Sequence, residues 1–285
     1  MREFFSGKAA CDCKAKEGKV YYLFTAKSIN LKHHLRKEMF SLSFQKNKGL
    51  REVLLFIAVA IFYKVSRYFA IGDEKTAFQN AYKVVHFEQT YGLFYEIALQ
   101  HIFLNKTLLI QFLNRFYMAV HVPSIIAFFF WLFQRHRDKY YFIRNGFLFA
   151  NFITLFIFMW YPCAPPRMLG DIGFVDTLKQ ISGINLYGPN YTHYFNQYAA
   201  MPSMHFGTAL IIGICVLMYV KKWWLKTIML LYPPFVLFVI VVTGNHFFLD
   251  AIVGASVSII GFAAVYLFYK VKNKLVPPRP KEVEE

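Results

Sequence analysis

Residues 223–269 read WWLKTIMLLYPPFVLFVIVVTGNHFFLDAIVGASVSIIGFAAVYLFY, which is two long apolar runs with one polar island between them. The runs cover about 223–242 and 247–269, and each is long enough for one helical crossing of a bilayer. The island contains Asn245 and His246, and Asp250 follows the histidine by four residues. Ionisable groups beside hydrocarbon are costly, so this His and this Asp need a partner or a task.

Two more polar islands border apolar runs elsewhere in the chain. One is Pro165-Pro166-Arg167, and the other is Pro202-Ser203-Met204-His205. An arginine and a second histidine therefore stand in the same costly setting as the first pair. Whether the three islands meet depends on how many times the chain crosses the membrane.

The composition is that of an integral membrane protein. Of 285 residues, 57% are hydrophobic and 20% are aromatic, far above the apolar share of a soluble domain. The net charge of +16 comes from basic residues clustered between apolar runs, which favours cytoplasmic loops over nucleic-acid binding. The cysteines at 11, 13, 163 and 215 form no CxxC pair or ligand spacing, so we predict no disulfide framework, no metal site and no cofactor.

Six apolar stretches predict an all-α integral membrane protein, a bundle of six transmembrane helices. They cover about 53–71, 107–133, 142–161, 203–220, 223–242 and 247–269. The first contains Lys64 and Arg67, which must snorkel or face the bundle. Residues 72–106 are mixed, with apolar positions at helical spacing, and we expect short helices lying at the membrane interface.

Basic connectors assign the sides of the membrane. They follow the second, fourth and sixth stretches, and residues 1–51 carry twelve Lys or Arg against four acidic residues. The positive-inside tendency makes these segments cytoplasmic, with both termini inside, so all three islands lie at the extracytoplasmic ends. The predicted domains are a basic cytoplasmic arm (1–51), a transmembrane catalytic domain (52–271) and a cytoplasmic tail (272–285).

The residue types of the islands suit phosphoryl transfer. Because Asp250 shares a helical face with His246, its carboxylate can hold the imidazole in one tautomer, which makes His246 a candidate nucleophile. His205 can serve as general acid and base. Ser203, at a helix N-terminus, and Arg167 can bind phosphate oxygens. Together they form a phosphate site without a metal.

Each island also has a structural interpretation. Ser203 after a proline can simply cap a helix, either histidine can be an ordinary interfacial residue, and the proline pair can be only a turn. The combination of a cap, a histidine and a His-x-x-x-Asp pair on one predicted side of the membrane favours a functional site.

At these residues the chain resembles the type 2 phosphatidic acid phosphatase superfamily, over roughly residues 80–270. Within it the chain is most similar to the branch of inositol phosphorylceramide synthases and their bacterial relatives. The resemblance is carried by the three islands, by Gly207 and by four upstream polar residues, which are Glu88, Asn114, Tyr117 and His121. It implies that His246 is the nucleophile, Asp250 its orienting carboxylate, His205 the acid and base, and Arg167 and Ser203 phosphate ligands.

Two positions depart from the superfamily pattern. The pattern has a lysine seven residues before the arginine and an arginine six residues before the nucleophile, where this chain has Trp160 and Ile240. The loss of two cations favours a phosphodiester or diphosphate-type donor over a doubly charged phosphate monoester. Asn245 is a candidate for part of the missing hydrogen bonding.

A polar stripe lies on the second predicted span, where Asn114, Tyr117 and His121 share one helical face. It can line a substrate pocket, together with Glu88, or it can join helices through hydrogen bonds. We expect His121 to lie too deep for direct chemistry.

These observations predict a lipid phosphotransferase or phosphatase of the cell membrane, acting on a membrane lipid through a phosphohistidine at the extracytoplasmic face. The alternative within the family is a lipid phosphate or polyprenyl diphosphate phosphatase. Alternatives of other classes are a lipid transporter or flippase and an inactive scaffold. The sequence does not specify the lipid donor, the acceptor or the oligomeric state.

Overall fold

The structure, a computed structural model, describes residues 48–69, 73–186 and 196–275. Within these ranges the regular elements are all helical and no strand is formed, as the sequence predicts. The chain divides into two compact units, 1–62 and 63–285, and every candidate site residue belongs to the second. The basic arm up to residue 47 and the tail from residue 276 lie outside the described residues.

Nine α-helices are described. They are α1 (Lys48–Phe69), α2 (Glu74–Thr90), α3 (Glu96–Leu104), α4 (Thr107–Arg135), α5 (Arg137–Trp160), α6 (Thr177–Gln180), α7 (Met204–Tyr219), α8 (Trp223–Val242) and α9 (Phe248–Leu275). Two short 3-10 turns, Pro166–Met168 and Gly170–Ile172, lie between α5 and α6.

Four of these helices, α4, α5, α8 and α9, are long and apolar enough to cross a membrane. Helix α7 is also apolar but has only 16 residues. Helix α1 has 22 residues and carries charges at both ends, including Lys48 and Lys64. Four spans are therefore supported by length and composition, while the count of six and the cytoplasmic termini stay predictions.

Helix α9 packs closely against α5 and α7. A Cβ on Gly261 would lie 2.8 Å from the Cβ of Ala150 on α5. A Cβ on Gly254 would lie 2.1 Å from the carbonyl oxygen of Ser203, just before α7. Absence of a side chain at Gly254 therefore lets the start of α7 touch the first turns of α9.

Helices α2 and α3 form where short interfacial helices are predicted. One face of α2 is buried, and its Ala77, Ala81 and Val84 pack in a cluster with Leu169 and Phe247. These helices are thus packed against the rest of the second unit, while their position at a membrane interface stays a prediction.

Candidate active site

The turn after α8 presents His246. The helix ends at Val242, and Gly244 then adopts a left-handed conformation with φ of 70°. A Cβ there would be strained and would meet the side chain of Gln100 at 2.9 Å. The amides of Asn245 and His246 both donate to the carbonyl of Ile240, at 2.9 and 3.1 Å. The backbone of the island is therefore held by hydrogen bonds to the last turn of α8.

Arg167 joins the first island to the third. Its backbone N–H donates to the carbonyl of Gly244 at 2.7 Å, and its Nη1 donates to Oδ1 of Asn245 at 2.6 Å. Among the Lys and Arg residues whose burial the structure describes, Arg167 is the one that is buried, and within the described ranges its Nε has no hydrogen-bond partner. The residue before the candidate nucleophile is therefore bound directly to a buried guanidinium.

The imidazole of His246 is held through Nδ1. That atom lies 2.8 Å from the carbonyl oxygen of Ala200 and 3.5 Å from Oδ2 of Asp250. Since a carbonyl oxygen can only accept, Nδ1 carries a proton, and in the neutral form of this ring the lone pair lies on Nε2. Nε2 is buried and finds no partner within the described ranges. A histidine in this state can act as a nucleophile through Nε2.

Asp250 also accepts hydrogen bonds from two backbone N–H groups. Its Oδ2 accepts the N–H of Phe247 at 2.8 Å, and its backbone carbonyl accepts the N–H of Ser203 at 2.9 Å. The orienting role predicted for Asp250 is thus shared with the carbonyl of Ala200, which is the closer acceptor. No sequence signal identifies Ala200, because a backbone carbonyl is present at every residue.

Ser203 precedes α7, but its side chain makes no capping hydrogen bond. Its hydroxyl is fully buried and has no partner in the described part of the chain. The interpretation of Ser203 as a simple helix cap is therefore wrong. A buried hydroxyl without a partner is costly in a closed protein, and a phosphate oxygen is a suitable partner for it.

His205 lies beside His246, with 5.5 Å between the ring centroids. Two aromatic side chains of α4 pack on His205: Tyr117 stacks on its ring at 4.4 Å, and His121 lies at 4.2 Å. Tyr117 also meets His246 edge to face at 6.3 Å. The ring of His121 is thus in contact with the proposed acid and base, while the expectation that His121 lies too deep for direct chemistry stays a prediction.

Asn114, on the same helix, forms hydrogen bonds with residues around α6 and not with the histidine pair. Its Nδ2 donates to the carbonyl of Thr177 at 3.0 Å and to the hydroxyl of Ser182 at 2.8 Å, and its Oδ1 accepts from Oγ1 of Thr177 at 3.1 Å. Its amide is thus used to join α4 to the segment around α6. The predicted stripe divides into one joining residue and two residues at the histidine pair.

Glu88, the other candidate pocket residue, is fully buried and accepts the backbone N–H of Leu249 at 2.7 Å. Its neighbour Glu96 accepts the N–H of Phe248 at 2.9 Å. Burial and the Glu96 carboxyl raise the pKa of Glu88 to about 9. The contacts of Glu88 are thus with the start of α9 and with another carboxyl.

The two positions that lack a cation lie in different surroundings. Trp160, at the end of α5, is 84% exposed, whereas Ile240 is fully buried in α8. No group of three or more His, Cys, Asp or Glu suited to a metal occurs in residues 48–69, 73–186 or 196–275. Arg167 is a buried permanent positive charge that contacts Gly244 and Asn245, the two residues before His246.

Comparison with known proteins identifies a family that the chain matches. The family model described as "PAP2 superfamily" matches residues 82–264, a range that contains every candidate site residue. No curated protein and no solved structure matches the chain.

Proposed function

The chain belongs to the PAP2 superfamily, whose model matches more than half of its 285 residues, and on this basis we propose that it is a membrane lipid phosphotransferase similar to inositol phosphorylceramide synthases. Membership in the superfamily indicates a phosphatase or phosphotransferase. The finer proposal is that a phosphoryl or phosphoalcohol group passes from a lipid donor to His246 and then to an alcohol or water. The reaction takes place at the extracytoplasmic face of the cell membrane.

One observation carries the proposal, the state of the His246 ring. Its Nδ1–H is bound to the Ala200 carbonyl, and its Nε2 is buried without a partner in the described ranges. In the first half of the reaction, the Nε2 lone pair attacks phosphorus and the bond from phosphorus to the leaving oxygen breaks. His205 in its protonated form gives a proton to that oxygen.

The second half reverses these roles. The hydroxyl of the acceptor gives its proton to neutral His205, its oxygen attacks phosphorus, and the bond from phosphorus to Nε2 breaks. The ring centroids of the two imidazoles lie 5.5 Å apart, which supports both acting on one phosphoryl group. His205 ends the cycle protonated, as it began.

The binding groups favour a donor with little negative charge on phosphorus. Arg167 supplies the buried positive charge, the Ser203 hydroxyl adds a hydrogen-bonding group, and Asn245 binds the guanidinium through its Oδ1. A phosphodiester carries one negative charge on its phosphate, which a single guanidinium balances. A phosphomonoester carries up to two at neutral pH, so it leaves one unbalanced.

The test is to trap the intermediate. The purified protein is incubated in detergent with labelled phospholipids, sphingolipids and polyprenyl phosphates, with and without candidate alcohols, and products and phosphohistidine are read by mass spectrometry. We expect wild type to carry phosphohistidine at His246 and His246→Ala to carry none. His205→Ala should slow turnover by about 100-fold or more. His86→Ala, an exposed histidine on α2, is the matched control and should behave as wild type.

The outcome that overturns the mechanism is phosphohistidine formed by His246→Ala at the normal rate. Products formed from a donor only when an alcohol is present favour the transferase, whereas release of free phosphate from monoesters or diphosphates favours the lipid phosphatase. A transporter or flippase predicts no turnover in detergent, and an inactive scaffold predicts unchanged cellular function in the double histidine variant.

A further inference from the structure

Three buried side chains of α2 and α3 reach the segment that carries His246. Gln100 contacts the chain before the histidine: its Nε2 donates to the carbonyl of Val242 at 3.3 Å. Glu96 and Glu88 contact the chain after it, through the N–H groups of Phe248 and Leu249. The island is therefore held on both sides by helices distant in sequence.

The two glutamates accept hydrogen bonds from N–H groups at the start of α9. The first N–H groups of a helix have no acceptor within that helix. Glu96 takes the N–H of Phe248 at 2.9 Å and Glu88 takes that of Leu249 at 2.7 Å, so both caps come from outside α9. Phe248 and Leu249 lie two and three residues after His246, so a shift of these amides is transmitted to the ring through Phe247.

The two carboxyls are also close to each other. Both side chains are fully buried, they accept from the amides of consecutive residues, and the Glu96 carboxyl helps to raise the pKa of Glu88. Each has one buried oxygen, Oε2, without a hydrogen-bond partner in the described part of the chain. A hydrogen bond between two carboxyls requires a proton on one of them. The two Oε2 atoms can therefore be partners for each other when one of the two carboxyls carries a proton.

We propose that Glu88 and Glu96 form a carboxyl clamp (these two side chains) that shares one proton and positions His246 through the amides of Phe248 and Leu249. They are positioning residues, since neither contacts the reacting nitrogen. The clamp's effect on catalysis rests on the proposed function. Its effect on the start of α9 does not.

A pH limit follows from the shared proton. The titratable groups that face Glu88 are Glu96, Asp250 and Cys163. Burial and the Glu96 carboxyl keep the pKa of Glu88 near 9, so the proton stays in place at neutral pH. Above that pH Glu88 becomes negatively charged beside the carboxyls of Glu96 and Asp250. Repulsion then loosens the clamp and with it the start of α9.

The experiment reads the two amides directly. Hydrogen–deuterium exchange of the full-length protein is measured at pH 7 and pH 10 on overlapping peptides that cover residues 247–250, corrected for the intrinsic effect of pH. Phosphohistidine formation is measured in parallel. Gln89→Ala, the exposed neighbour on α2, is the control and should leave both readouts unchanged.

At pH 7, Glu88→Ala or Glu96→Ala should raise exchange at least about tenfold and slow phosphohistidine formation by a similar factor, with little change in KM. Glu88→Gln should stay within about threefold of wild type, because an amide can accept from Leu249 and donate to Glu96 as the protonated acid does. At pH 10 wild type should lose its protection at least about tenfold, and Glu88→Gln should keep it.

Equal exchange in wild type and the alanine variants would overturn the clamp. So would a Glu88→Gln protein that loses protection at pH 10 as wild type does, and this comparison decides the question if the alanine variants do not fold. A wild type that shows the expected exchange but forms no product from any donor refutes the proposed function and leaves the clamp in place.

Discussion

Replacing Gly254 by alanine should separate the two halves of the active site without touching a reacting group. Gly254 lies one turn after Asp250 on α9, where the start of α7 rests on it. An added Cβ would lie 2.1 Å from the carbonyl oxygen of Ser203 and 2.8 Å from its carbonyl carbon. Both atoms are backbone, so no side chain can rotate away and the two helices must move apart.

The size of the movement follows from these distances. Real Cβ contacts essentially never fall below 3.0 Å, so the approach of 2.1 Å must open by about 0.9 Å. Ser203 and His205 would move away from His246 by that amount, and the 2.9 Å hydrogen bond from Ser203 N–H to the Asp250 carbonyl would lengthen. A misplacement of about 1 Å costs about 100-fold in rate, and the overpacking costs about 1–3 kcal/mol of stability.

The assay compares Gly254→Ala with Gly261→Ala. The second variant lies two turns further along α9, where a Cβ would meet Ala150 on α5 at 2.8 Å. It should lose stability in the same range, by thermal unfolding in detergent, but change turnover less than about threefold. Gly254→Ala should lose about 100-fold in the rate of phosphohistidine formation.

The reasoning fails if Gly254→Ala is folded and turns over within about threefold of wild type. It also fails if Gly261→Ala loses as much activity as Gly254→Ala, since the loss would then reflect general overpacking of α9 and not the distance between the histidines.

Three further predictions follow from single contacts. Ser203→Ala should lower kcat/KM by about tenfold or more with an unchanged melting temperature, because its hydroxyl makes no bond in the described structure; a lower melting temperature with normal kinetics contradicts this. Asn114→Ala should cost about 1–3 kcal/mol in thermal unfolding and change KM little, because it removes the bonds to Thr177 and Ser182; a large rise in KM with normal stability contradicts this. The pKa of Glu88 rises from its ordinary value of 4.5 to about 9 on folding, so between these pH values folded wild type binds one proton more than the unfolded chain. The free energy of unfolding of wild type should therefore fall by up to about 1.4 kcal/mol per pH unit in this window, relative to Glu88→Gln. Parallel plots of this free energy against pH for the two proteins contradict the prediction.

The meeting of the three islands could be predicted from the sequence. Their convergence needs only that apolar runs cross a membrane and alternate in direction, and run length and connector charge are both visible in the chain. Their direct contacts agree with it: Arg167 binds Asn245, and the amide of Ser203 binds the carbonyl of Asp250. The acceptor for His246, the carbonyl of Ala200, could not be predicted, because no side chain marks it.

The sequence does not identify the proposed carboxyl clamp, and the reason is different. Amphipathic patterning assigns the polar face of a helix to water, and the apolar positions of residues 72–106 predict short helices at the membrane interface. In α3 the pattern is inverted: Glu96 and Gln100, one turn apart, are fully buried, while Ile102 is 64% exposed. The polar face of α3 turns inward because it meets the free backbone groups around His246, whose N–H and carbonyl groups need partners as much as any side chain does.

The same requirement explains why one polar stripe on α4 serves two purposes. Asn114 and His121 are seven residues apart, which is about 10 Å along a helix. That distance carries the stripe from the level of α6, where Thr177 needs a partner, to the level of the histidine pair. Spacing along the sequence identifies the shared face of Asn114 and His121, but the level of each residue depends on which other segment ends beside it. A polar residue in an apolar helix therefore indicates that a partner lies opposite, and the partner's identity decides whether the residue joins helices or takes part in chemistry.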